Sequence, residues 1–342
     1  MRSLAITLLI LFCFAANSQT LGGNAVYNFL KLPATAPLTA AGGVNVSWKA
    51  DDVGLAANNP ALLDAGLNSQ LHLSFTGLPG GIKAYSLTGA YHGENKATVL
   101  GGHIYFLDYG SIAQTDAAGN QSGTFHPVDF VVQASAARSY LEHWNYGVSV
   151  KLIGSSYGQY RSAALAFDFG VHYTDSAHGF YAALLARNMG IQLKTYAGEG
   201  EDLPFDLQIG LTKRLAHAPF GFSLTAQQLQ HFNIHYNDTL FNNENELHPG
   251  GKFLDKLFNH FVAAAHVYVG ANLEATVGYN QLRRSELNVG SSGNGLNGFS
   301  MGVRVRFSKL QVAYARANYQ RNISYNQLGV VLALDQGVGK NL

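Results

Sequence analysis

The sequence predicts an all-β protein: a transmembrane antiparallel β-barrel of about fourteen strands with an N-terminal hatch segment. Three observations carry that prediction. Segments of alternating apolar and polar residues follow one another from about residue 69 to the C-terminus. The connections between them alternate short and long. Charged residues make up only 13% of the 342 residues, against about 25% in ordinary soluble domains.

Residues 1–18 read as a targeting segment. Arg2 is the positive start, Leu4 to Phe14 is an apolar run, and Ala16 and Ser18 are the small residues of a cleavage site before Gln19. The single cysteine, Cys13, leaves with that segment, so the exported fold must stand without disulfides. Arg2 leaves too, and the 22 basic and 21 acidic residues then balance. Mean hydropathy is +0.01, and no apolar run after residue 20 approaches the ~18–20 residues of a spanning helix. There is no basic face or acidic tail, so nucleic acid is not expected as a partner.

Residues 19–68 do not alternate cleanly and are rich in Ala, Gly, Pro and Asn. Ahead of a first strand, such a segment is expected to be a plug or hatch inside the barrel; the alternative is a periplasmic tail. Residues 69–334 form the barrel and 335–342 a C-terminal tail. The clearest strands carry Trp144, Tyr146, Val148, Val150 and Leu152 on one face, and Ala163, Leu165, Phe167, Phe169, Val171 and Tyr173 on one face of the next. Phe205 to Leu211, Phe220 to Ala226, Phe261 to Val269 and Leu273 to Tyr279 alternate equally well. Weaker strands lie near 70–78, 82–92, 97–107, 128–138, 179–188, 310–319 and 322–334.

The connections are expected at 79–81, 93–96, 108–127, 139–142, 154–161, 175–178, 189–203, 216–218, 231–259, 270–271, 284–297, 308–309 and 320–321. Every second one, starting with 93–96, is a tight turn, and most of the others are long. Tight periplasmic turns and long outer loops are the layout of an outer-membrane barrel, the expected location. A soluble sandwich, the competing reading, has no reason to keep that parity. Tyr105, Phe106, Trp144 and Tyr173 fall near strand ends, as an interfacial girdle requires.

Register follows from charge. In "GFSMGVRVRFSK" (298–309), Phe299, Val303 and Phe307 are expected to face lipid, with Arg304 and Arg306 in the lumen. The opposite register would cost about 2–4 kcal/mol for each arginine at the midplane. Lys151 and Asp168, like Asp206 and Glu274, fall on the same polar parity, which gives a lumen of mixed charge and a lumen-side Arg304→Gln that is milder than a lipid-side Val303→Arg.

Few motifs point to chemistry. "GNGLNG" (293–298) matches the dinucleotide fingerprint but lies between strands, without the following helix. His231 and His235 are four apart, with Asp238 beyond, yet leave a strand rather than sharing a helix face. "DAAGNQSG" (116–123) lacks the regular ligands and closing Glu of a calcium loop. Asp51 and Asp52 form a carboxylate pair, but no partner histidine or nucleophile is evident, so they read as turn residues. No G-x-S-x-G occurs. The chain is expected to be no enzyme, with no catalytic residues, cofactor or metal.

"AGGVNVSWKADDVGLAANNPALL" (41–63) resembles the hatch of FadL-like outer-membrane barrels, in which a Gly-Gly stretch (Gly42, Gly43), an acidic pair (Asp51, Asp52) and an Asn-Pro-Ala sequence precede the first strand. Pro60 donates no backbone bond and biases Asn59 toward extended geometry, which suits a fixed bend that Asn58 and Asn59 can bond. Within that superfamily, "GGNAVYNFLKLPATA" (22–36), "YGSIAQTDAAGNQSGTFHPVDF" (109–130), "GVSVKLIGSSYGQYRSAALAFDFGVHY" (147–173) and "NMGIQLKTY" (188–196) resemble the PorQ family of the Bacteroidetes type IX secretion system. So do "EDLPFDLQIGLTKRLAHAPFGFSLTAQQLQHFNI" (201–234) and "NHFVAAAHVYVG" (259–270). That resemblance implies a non-enzymatic part in the surface attachment complex, alongside PorV, the sortase PorU and the surface protein PorZ. The long loop 231–259, with Phe232, Tyr236, Leu240 and Phe241, is the expected docking surface. The alternative is a FadL-like transporter of hydrophobic small molecules, which would need a hatch that opens.

Overall fold

The structure, a computed structural model, describes residues 25–93, 97–234, 253–287, 295–320 and 323–334. The targeting segment 1–18, the tail 335–342, and Tyr236, Leu240, Phe241, His235 and Asp238 lie outside the described residues.

Among the described residues the sixteen strands are β1 Gln70–Gly77, β2 Lys83–His92, β3 Thr98–Asp108, β4 Ile112–Thr115, β5 Gln121–Phe125, β6 Val128–Tyr140, β7 Trp144–Tyr157, β8 Tyr160–Asp175, β9 Phe180–Lys194, β10 Asp206–Arg214, β11 Phe220–Ala226, β12 Phe261–Val269, β13 Leu273–Asn280, β14 Phe299–Arg306, β15 Leu310–Gln320 and β16 Ile323–Ala333. All but β4 and β5 close into one fourteen-stranded antiparallel barrel, sealed by β1 against β16 from Gln70↔Ala333 to Gly77↔Asn326. Closure leaves no sheet margin facing lipid along that seam. Short helices are α1 Ala36–Ala40, α2 Phe253–Phe258 and α3 Gln281–Leu287. No described helix is long and apolar enough to cross a membrane.

Alternation sets the two faces. Val148, Val150, Leu152, Phe167, Phe169, Ile209, Leu211, Phe222 and Leu224 are exposed on the outside, while Ser149, Lys151, Asp168, Gln208, Thr212 and Ser223 are buried inside. Phe75, Tyr85, Phe106 and Phe130 form a cross-strand row on successive strands, and Tyr91, Tyr140, Trp144 and Phe220 stand exposed near the opposite ends. These are two interfacial belts with an aliphatic band between.

The tight turns occur where the alternation requires them, but the outer side differs from expectation. Residues 154–161 are no loop: β7 and β8 pair through them as far as Tyr157↔Tyr160, turning at Gly158 (φ +63°). Likewise β9 continues past Asn188 to Lys194, through a bulge where Phe167↔Met189 shifts to Phe169↔Ala186. The strands keep pairing here because the luminal side chains above the bulge still pack on a core of Tyr27, Phe29, Ile153 and Leu203. Segment 108–127 carries the β4–β5 hairpin, and its "DAAGNQSG" stretch is a turn closed by Asp116 bonds to Ala118 and Asn120. Gly298 of "GNGLNG" leads directly into β14, so no helix follows the motif.

Candidate functional site

The lumen is occupied by residues 25–69. Thr35 caps α1 by accepting from Leu38 N at 3.4 Å. Gly42 (φ +93°) and Gly43 (φ +89°) end it in the left-handed region, where glycine carries no Cβ penalty. Gly42 O then accepts from Arg283 Nη2 at 2.9 Å and from Asn280 Nδ2 at 3.2 Å, which ties this turn to the wall.

The asparagine pair cross-ties the segment to itself. Asn58 Nδ2 donates to Asn45 O at 3.1 Å, and Asn59 Nδ2 to Val46 O at 2.9 Å. Asn59 Oδ1 accepts from Ala61 N at 3.0 Å and so caps the turn opened by Pro60. Asn58 Oδ1 takes Arg187 Nη1 from β9 at 2.9 Å.

Further bonds attach the segment to strands around the circumference. Ser47 meets Thr212 at 2.8 Å, Asn45 Nδ2 donates to Ser223 at 2.8 Å, and Thr39 donates to Gln327 at 2.5 Å. Asn145 Nδ2 donates to both Ala61 O and Leu63 O at 2.7 Å. Wall glycines admit the hatch backbone at close range: a Cβ at Gly147 would fall 2.4 Å from Pro60 C, and one at Gly278 2.2 Å from Gly42 N.

The acidic pair divides its roles. Asp51, half exposed at the inner end, accepts from Gln70 Nε2 at 2.6 Å and lies 3.8 Å from Arg306. Asp52 is buried, accepts from Gly54 N at 2.8 Å and meets His72 Nδ1 at 2.6 Å. A partner histidine therefore exists, on β1, which the sequence did not reveal because the two are joined only by the fold. Burial opposes ionisation of Asp52, yet His72, the Gly54 N–H and the Arg304 guanidinium hold its carboxyl below the usual carboxylate range. His72 is 0% exposed, and among the described residues its Nε2 has no hydrogen-bond partner.

The expected lumen residues are placed unequally. Arg304 pairs with Glu274, which His266 also approaches at 3.4 Å, and its guanidinium lies 5.3 Å from the Trp48 ring centre. Lys151 pairs with Asp168 at 2.6 Å and donates to Asn188 at 2.9 Å. Arg306 stays partly exposed. Arg304 lies close to the inner end of β14, where a misfacing arginine costs about 0–1 kcal/mol rather than the midplane figure. The buried pair with Glu274, not lipid exclusion, gives this residue its weight. Between Phe29, Leu30, Tyr105, Val131, Lys151 and Arg187 a cavity of ≈ 30 Å³ remains, room for about one water. Among the described residues no cluster of His, Cys, Asp and Glu is arranged to hold a metal. Phe232, the one described residue of the expected docking set, is exposed and packs on Phe253 of α2, with ring centres 5.4 Å apart.

No protein-family model matches the chain, and no curated protein matches it. Solved structures do. The TodX monoaromatic hydrocarbon channel deltaS2 mutant is 13% identical with a TM-score of 0.51, over 88% of this chain and 98% of that one. The TodX deltaS2S3 mutant is 13% identical with a TM-score of 0.50, over 87% and 97%. A Pseudomonas aeruginosa FadL homologue is 9% identical with a TM-score of 0.47, over 88% and 98%. At such identity the TodX likeness is one of fold alone: this chain is a closed fourteen-stranded antiparallel barrel similar in architecture to that channel.

Proposed function

We propose that this barrel is a non-enzymatic docking component of the outer membrane. Its partners are those that the PorQ resemblance implies, PorZ, PorU and PorV of a type IX attachment complex. The observation that supports this reading is the fixed hatch. Its backbone sits in glycine slots of the wall, its polar side chains are bonded to strands on all sides, and only about one water's volume is left beside Phe29 and Lys151. A conduit needs space or a part that leaves; a docking platform needs rigidity and outer loops.

A second reading is a channel for hydrophobic small molecules. The fold shared with TodX, a monoaromatic hydrocarbon channel, supports this reading more directly than the first. One experiment separates the two. Cysteines at Ser47 and Thr212, whose hydroxyls lie 2.8 Å apart, would lock the hatch once oxidised. Docking predicts that locked cells keep secreted cargo attached to their surface, whereas cells lacking the gene lose it. Normal attachment without the gene, with hydrophobic uptake lost on locking and restored by reductant, would establish the channel instead.

A further inference from the structure

The barrel wall has a step. On one side β7, β8 and β9 are tall. Next to them β10 begins only at Asp206, opposite Arg187, so β9 from Asn188 to Lys194 has β8 as its single ladder partner among the described strands. At the top of this edge Ile191 and Leu193 are 65% and 59% exposed, Met189 lower on it is 36% exposed, and Gly190 is exposed although its parity is luminal. Residues 195–205 do not replace the neighbour. They reach β9 through side chains, as Glu201 N donates to Gln192 Oε1 at 2.9 Å and Asn188 Nδ2 to Pro204 O at 3.1 Å, and Leu203 turns into the core. No described backbone–backbone bond joins 188–194 to that segment.

Depth makes the step matter. Ile191 pairs with Leu165, and from Tyr173 up β8 to Leu165 the rise is about 20 Å, within an apolar band of about 25 Å. An open strand edge is not stable against hydrocarbon, because neither lipid tails nor water there can serve its backbone groups. Below the step, β11 rises only about 15–20 Å, and Phe205, Leu229 and Phe232 are exposed above it.

We propose that the β9 edge, residues 188–194, is a docking site for an extended apolar segment of a partner membrane protein, which adds to the wall as a strand. Only another polypeptide backbone supplies donors and acceptors at strand spacing while presenting an apolar outer face. The proposal rests on the docking reading above, but it fails separately.

The test is amide exchange of residues 189–193, read by mass spectrometry in native outer membranes and in the purified barrel in detergent. Exchange about tenfold slower in membranes than in the purified barrel is expected. Ile191→Lys should abolish the difference, since an edge lysine blocks strand addition. Leu152→Lys should preserve it, because Leu152 pairs with the same Leu165 but stands between two neighbours. A photo-crosslinker at Leu193 should join a protein through an extended segment. Equal protection in the purified barrel would mean that the chain covers its own edge, residues before Ala25 included, and would overturn the proposal. Equally fast exchange in both, or crosslinks to lipid or to a second copy only, would also overturn it. Loss of surface attachment on gene deletion, with no protection of this edge, would keep the docking reading and remove this site.

Discussion

Replacing Gly147 by alanine tests whether the hatch is held by the fit of its backbone into the wall. A Cβ at this position would lie 2.4 Å from Pro60 C, 2.5 Å from Pro60 O and 2.6 Å from Ala61 N. Ordinary carbon contacts sit at about 3.5–4.0 Å, so the turn must retreat by roughly 1 Å. It cannot swing aside freely, because Asn59 binds it to Val46 O and Asn145 holds Ala61 O and Leu63 O. Overpacking of this kind costs about 1–3 kcal/mol, and stretching the Asn145 bonds adds about 1 kcal/mol. Removing a strand glycine returns about 0.5–1 kcal/mol. The net expectation is destabilisation by about 2 kcal/mol. It should be read as the urea midpoint in lipid vesicles at constant m, together with faster proteolysis of the hatch. Gly102→Ala is the control: nothing lies within 4 Å of its Cβ position, so it should be neutral or slightly stabilising. If Gly147→Ala matches Gly102→Ala in both readouts, the slot does not hold the hatch.

Arg304→Gln should not be mild, as a watery lumen would allow. It leaves Glu274 buried with only His266 nearby, at about 3–5 kcal/mol; a double change of Arg304→Met with Glu274→Leu should recover most of that in the same urea titration. Asp52→Asn should weaken the hatch by about 1–3 kcal/mol. Because the folded carboxyl of Asp52 sits below its ordinary 3.8, its contribution is present above that value and is lost as pH falls through the lower folded one. The Asp52→Asn deficit should therefore shrink in titrations below about pH 4 and persist at neutral pH; a deficit constant with pH would contradict the assignment. Of the 2 tryptophans, Trp144 is 46% exposed in the inner belt and Trp48, within the hatch, is 4% exposed. Brominated lipid should quench the fluorescence of Trp48→Phe and spare that of Trp144→Phe.

The strand alternation, the tight-turn parity and the inward parity of Lys151, Asp168, Glu274 and Arg304 were legible in the residues. Each depends on a period of two against a fixed lipid boundary, which is local information. The outer ends were not. Residues 154–161 and 189–194 look like loops because polar residues and glycines break the pattern, yet they stay paired where a core formed with the distant N-terminal segment supports them. Asp52 with His72 and Gly147 with Pro60 were hidden for a similar reason. A buried partner is chosen by which hatch atom meets which wall position, and the order of residues along the chain does not encode that. The step between β9 and β10 arises likewise. How far β9 extends, and whether a neighbour reaches the same height, are decided only when the barrel closes around its core.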